Sequence, residues 1–161
     1  RVLFRSHNDL KSAREHLKKA IELKQDYLNA IFLLSQVEVQ DGNLRGALDS
    51  ARAAAYFAPK DPNVLFQLGV LAAAGGDLES AKNVLLAAID VSPQFANARY
   101  VLAAVLAKQG NLTAATEQVQ AIADLSPDSA ARVAPMLSQL KAKKNPFPAN
   151  LLTIPSSPVQ K

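Results

Sequence analysis

The 161-residue sequence predicts an all-α fold, a solenoid of antiparallel helix pairs stacked along one axis. Three ladders predict it. Gly42, Gly76 and Gly110 stand 34 residues apart, as do Ala47, Ala81 and Ala115, and as do Pro59, Pro93 and Pro127. Similar words surround the glycines: GNLRGA at 42–47, GGDLESA at 75–81 and GNLTAA at 110–115. Each ladder has a physical reason. Glycine accepts the left-handed conformation on which a helix ends most easily. Asn43, Asp77 and Asn111 follow at once, with side chains that cap a new helix. Leu44, Leu78 and Leu112 anchor that helix to the one before it. Alanine lets two antiparallel helices approach closely. Proline stops the second helix, because the residue before it disfavours the helical region.

The elements follow in order. Residues 1–27 read as a partial repeat, with Leu10, Ala13, Leu17 and Ala20 on one face of its second helix and Arg1 inside its first. Met136 is the single methionine, so Arg1 is not a start position, and the chain reads as a piece excised from something longer. Three complete repeats occupy 28–61, 62–95 and 96–129. Residues 130–144 predict a capping helix with Val133, Met136, Leu137 and Leu140 on its apolar face, either kinked at Pro135 or starting there. Residues 145–161, with four prolines and no acid, predict an extended or disordered tail.

The period and the spacing of these residues resemble the tetratricopeptide repeat. Residues 62–95 carry Leu68, Gly69, Gly76, Asp77, Ala81, Leu85, Ala88 and Pro93 at the family's motif places. Residues 28–61 carry Leu34, Ser35, Gly42, Asn43, Ala47, Ala54 and Pro59, and residues 96–129 carry Leu102, Ala103, Gly110, Asn111, Ala115, Val119 and Pro127. The resemblance implies a right-handed superhelix that binds proteins. Three residues depart from the pattern. Glu38 replaces an aromatic, Arg99 replaces Trp or Leu, and Ala51 replaces a bulky residue; looser packing is expected at each.

Composition excludes several classes. Hydrophobic residues make up 49% of the chain, which argues against wholesale disorder. No apolar run is long enough to span a bilayer, and charge interrupts the opening stretch too often for a signal peptide. No direct membrane insertion of this segment is expected. The net charge of +4 belongs to residues 129–161, which hold five basic residues and no acid. The body has no basic face, and no nucleic-acid partner is expected. The absence of cysteine excludes disulfides and leaves the compartment open, cytoplasmic or outside the cytoplasm. His7 and His16 have no convergent ligands, the glycines form no phosphate-binding loop, and the carboxylates are scattered. No catalytic site, metal site or cofactor is expected, and the chain reads as a binding module rather than an enzyme.

In the tetratricopeptide family the first helix of each repeat lines a concave face, so the resemblance implies a groove. Its inward residues would be Asn29, Phe32, Gln36, Val39 and Gln40; Asn63, Phe66, Val70, Ala73 and Ala74; and Asn97, Tyr100, Ala104, Ala107 and Lys108. A row of carboxamides offers donors and acceptors to an extended peptide backbone, the rings offer apolar area, and the alanines leave room. The competing reading is structural: Asn near a helix start caps or is solvated, and the rings pack on the neighbouring repeat. Relatives that clamp a C-terminal carboxylate use Lys, Asn and Arg where this chain has Phe32, Gln36, Gln67, Asn97 and Val101, so that mode is not expected. The tail carries Phe147, Leu151, Leu152 and Ile154 and either doubles back into the groove or stays a loose basic end.

The reading is therefore an interaction scaffold for a protein or peptide. The phrases APKDPNVLFQLGVL, FANARYVLA and KKNPFP are also similar to C-terminal repeat regions of bacterial membrane proteins of the O-antigen ligase and polymerase type. That resemblance implies an accessory, non-catalytic domain of a larger protein. A third alternative is self-association through the truncated N-terminal repeat.

Overall fold

The computed structural model describes residues 7–153. Among them are eight helices and no strand: α1 His7–Leu23, α2 Leu28–Gln40, α3 Leu44–Phe57, α4 Pro62–Ala74, α5 Leu78–Val91, α6 Ala96–Lys108, α7 Leu112–Ala123 and α8 Pro127–Lys141. Each helix packs mainly on its neighbours in sequence, and α4 also touches α6. The result is an all-α solenoid. The expected position of Arg1 inside an earlier helix lies outside the described residues, as does tail residue Ile154 and all that follows it.

The turns inside the pairs are built as the glycine ladder requires. Gly42, Gly76 and Gly110 have φ of 77°, 86° and 84°. The N–H groups of Asn43, Asp77 and Asn111 reach back to the carbonyls of Glu38, Ala72 and Leu106 at 2.8, 3.0 and 2.9 Å. These bonds satisfy carbonyls that the end of a helix would otherwise leave open. The same three residues then cap α3, α5 and α7, accepting from the N–H of Gly46, Ser80 and Ala114.

Pro59 and Pro93 lie in four-residue turns between pairs, but Pro127 does not. It is the first residue of α8, where its fixed φ and missing donor cost nothing. Ser126 caps that helix by accepting from the Ser129 N–H at 3.1 Å. The capping helix therefore starts at Pro127, not at 130, and ends at Lys141. Pro135 lies inside it rather than in its first turn; Ala131, whose carbonyl loses its partner to Pro135, is solvent-exposed.

The core is continuous from α4 to the residues after α8. Leu85, Leu102, Val105 and Val119 are fully buried in it, and Phe147 and Leu152 are nearly so. Two smaller clusters tie in the first repeat, one around Ile31, Ala54 and Val64, the other around Ala47, Ala51 and Leu71.

None of the three departures is loosely packed. Glu38 is buried and accepts from Arg14 Nε at 2.9 Å, Arg14 Nη2 at 3.2 Å and Asn43 Nδ2 at 2.7 Å. Arg14 also pairs with Asp41, so one guanidinium joins α1 to the end of α2 and its turn. The hydrogen bond to Glu38, opposed in part by burial, raises the Arg14 pKa above its ordinary value. Arg99 donates to the Pro93 carbonyl from Nε and Nη2, at 2.9 and 2.8 Å, and to Gln118 Oε1 at 3.0 Å. It secures the inter-repeat turn that an apolar side chain would only cover. Ala51 is fully buried.

At the matching place in the next repeat a glycine faces a bulky side chain. A Cβ on Gly69 would lie 2.7 Å from Leu85 Cγ. The same register pairs Ser35 with Ala51 and Ala103 with Val119, each residue 34 away from its counterpart. In the second repeat Gly69 leaves the room that Leu85 fills, and in the first the Ser35 hydroxyl donates to the Ala47 carbonyl at 3.0 Å.

Candidate functional site

Asn29, Asn63 and Asn97 are the second residues of α2, α4 and α6, and all three are exposed. None of them is a capping residue. The capping places belong to Tyr27, Asp61 and Phe95, and Asp61 accepts from the N–H groups of Asn63 and Val64. The three carboxamides make no side-chain hydrogen bond among the described residues. The capping alternative for this ladder therefore falls, and solvation remains.

Phe32, Phe66 and Tyr100 follow three residues later, each half-buried on the same face of its helix as the Asn. Phe66 meets the ring of Phe95 at 5.1 Å between centroids, at the corner leading to the next repeat. Both rings belong to residues 62–95, so this contact lines the corner from within one repeat and does not reach the next. Tyr100 meets Phe147 edge to face at 5.5 Å. The two remaining midhelix residues, Gln36 and Val70, are half-buried, and Lys108 is exposed in the last turn of α6.

The alanines do not form an open floor. Ala73, Ala104 and Ala107 are buried. Ala104 and Ala107 belong to the large buried cluster that also takes in Phe147 and Leu152. Gln67 is also unavailable in part, since its Nε2 turns inward to Ser35 Oγ at 3.2 Å.

A cavity of about 400 Å³ opens beside Tyr100 between α6 and α8. Tyr100, Val133 and Met136 give it apolar walls, and Asn97, Ser129 and Arg132 give it a polar rim. Arg132 was counted only as part of the basic end of the sequence. Its place beside Asn97 depends on the three-residue turn before α8.

Another row escaped the sequence reading. Leu23, Phe57, Val91 and Leu125 are all large, apolar and exposed, and they too stand 34 residues apart, at or just beyond the ends of α1, α3, α5 and α7. The period alone would have found them. What it could not show is that they face solvent.

The described residues contain no group of three side chains able to hold a metal ion. His16 Nδ1 lies 2.7 Å from the Ser12 carbonyl of its own helix. No described helix is long and apolar enough to cross a membrane.

Comparison with known proteins agrees with this architecture. A family model described as tetratricopeptide repeat matches residues 2–62 and 66–130. No curated protein matches the chain. Among solved structures, a tetratricopeptide repeat protein from Parabacteroides merdae superposes with a TM-score of 0.74 at 21% identity, over 84% of this chain and 55% of that one. YrrB, described as a TPR protein with an unusual peptide-binding site, gives 0.68 at 24% identity, over 78% of this chain and 66% of its own. The Yersinia enterocolitica type III secretion chaperone SycD, solved with a peptide of the translocator YopD, gives 0.67 at 20% identity, over 76% and 98%. The chain thus spans only about half to two thirds of the first two of these proteins.

Proposed function

We propose that this chain, which belongs to the tetratricopeptide repeat family, is a non-catalytic interaction scaffold that holds an extended peptide along the first helices of its repeats. The single observation that carries the reading is the row of three exposed, unengaged carboxamides at Asn29, Asn63 and Asn97. Repeated every 34 residues at the same helical place, they suit a repeating ligand backbone. Phe32, Phe66 and Tyr100 would supply apolar contact, with Gln36, Val70 and Lys108 along the same faces. The peptide-bound SycD and the peptide site named for YrrB support a ligand of this kind.

The test is a fluorescence-anisotropy screen of the full chain against random twelve-residue peptides, followed by the triple substitution Asn29→Ala, Asn63→Ala, Asn97→Ala. Each hydrogen bond to a peptide backbone is worth about 1 kcal/mol. Loss of three weakens binding roughly 100-fold. Peptides that bind the native and triple-substituted chains equally would overturn the reading.

A further inference from the structure

The described part of the tail does not hang loose. Residues 145–153 fold back on α6, two helices before the last. Phe147 is buried against Tyr100, and Leu152 is buried in the same cluster as Ala104 and Ala107. Tyr100, Ala104 and Ala107 recur at helical spacing along one face of α6, the face that in α2 and α4 carries Phe32 and Phe66.

The manner of attachment matters. The segment's backbone hydrogen bonds are local: Leu151 N–H to the Pro148 carbonyl and Thr153 N–H to the Asn150 carbonyl, while Asn145 Oδ1 accepts from the Phe147 N–H. None ties it to a helix among the described residues. Pro146 and Pro148 bracket Phe147, which stands at a bend, and turns follow over residues 149–152. An element held only by the side chains of Phe147, Leu151 and Leu152, on a pre-stiffened backbone, is attached as a bound peptide is attached.

We infer that residues 145–153 are a ligand in cis. They occupy a peptide seat on the third repeat, anchored by Phe147 on Tyr100, and an outside partner of the same chemistry must displace them. That chemistry is a proline-flanked, turn-forming segment with one aromatic residue followed four and five residues later by two aliphatic ones. The inference deepens the reading above for the third repeat alone. Among the described residues Asn29 and Asn63 of the first two repeats are exposed, so the pair Asn29→Ala and Asn63→Ala tests that reading separately.

The probe is a fluorescein-labelled peptide of residues 145–153, NPFPANLLT. It is titrated into the native full chain and into the full chain carrying Phe147→Ala and Leu152→Ala. The substituted chain should bind at least tenfold more tightly, because its seat is vacant, and adding Tyr100→Ala should remove that gain. Equal binding by the native and vacated chains, or binding indifferent to Tyr100→Ala, would overturn the inference and leave the segment as a fixed cap. If the double substitution unfolds the chain, Phe147→Leu replaces it. That side chain keeps apolar bulk but gives up the ring contact, and the same comparison decides.

Discussion

The substitution Gly69→Ala tests whether Gly69 leaves the room that Leu85 fills. In an open helix it would stabilise the chain by about 1 kcal/mol. Here the new Cβ would lie 2.7 Å from Leu85 Cγ and 2.9 Å from Leu85 Cδ2, both well inside an ordinary carbon contact of about 3.5–4.0 Å. Leu85 is fully buried and has nowhere to retreat. Overpacking of this kind costs about 1–3 kcal/mol, so the net effect is a loss of about 1 kcal/mol. Leu85→Ala alone opens a cavity and costs about 2–5 kcal/mol. Placed in that background, Gly69→Ala meets no obstacle and regains its helix preference, stabilising by about 1 kcal/mol. The effect changes sign, and the coupling between the two sites is roughly 2 kcal/mol. The assay is urea unfolding of the four proteins, followed by helical circular dichroism with matched slopes. A stabilising Gly69→Ala in the native background, or the same sign in both, would refute the reasoning. Ala103→Gly, at the matching place in the third repeat, should only destabilise.

Other outcomes follow from the same contacts. Arg14→Ala leaves Glu38 buried with Asn43 as its remaining side-chain partner among the described residues and should cost roughly 3 kcal/mol by urea unfolding, whereas Glu38→Gln in the Arg14→Ala background should recover part of that loss. Gly76→Ala forces an alanine to φ of 86° and should destabilise by about 1–2 kcal/mol, although its Cβ would meet nothing within 4 Å, so the cost is conformational rather than steric. Hydrogen bonds from the Ser80 side chain and then its backbone hold the Asp77 carboxyl below its usual value of 3.8. The folded pKa is depressed, so the cap's contribution is present above the unfolded pKa and is lost as pH falls through the folded one. The stability gap between the native chain and Asp77→Ala should therefore narrow between neutral pH and pH below 3; a gap unchanged by acid would contradict that cap.

The amino-acid sequence determined the repeat. Period, turn and cap are local properties, and Gly42, Gly76 and Gly110 needed no knowledge of distant partners to end their helices. The pair places were legible for the same reason: Ala47, Ala81 and Ala115 recur because every repeat solves one packing problem. The Asn and aromatic ladders were legible as a period, but their standing depended on neighbours. That Asn63 is free follows from Asp61 doing the capping, and that Phe66 packs on Phe95 follows from the corner between repeats. Tertiary structure alone decided the rest. Glu38 and Arg99 departed from a pattern, yet their compensation came from Arg14 and the Pro93 carbonyl, which only packing brings together. Pro127 kept its place in the ladder but opened α8 instead of closing α7, because Ser126 offered a cap. The seat of Phe147 on Tyr100 joins residues 47 apart in sequence. No period links them; apolar burial on the finished surface of α6 does.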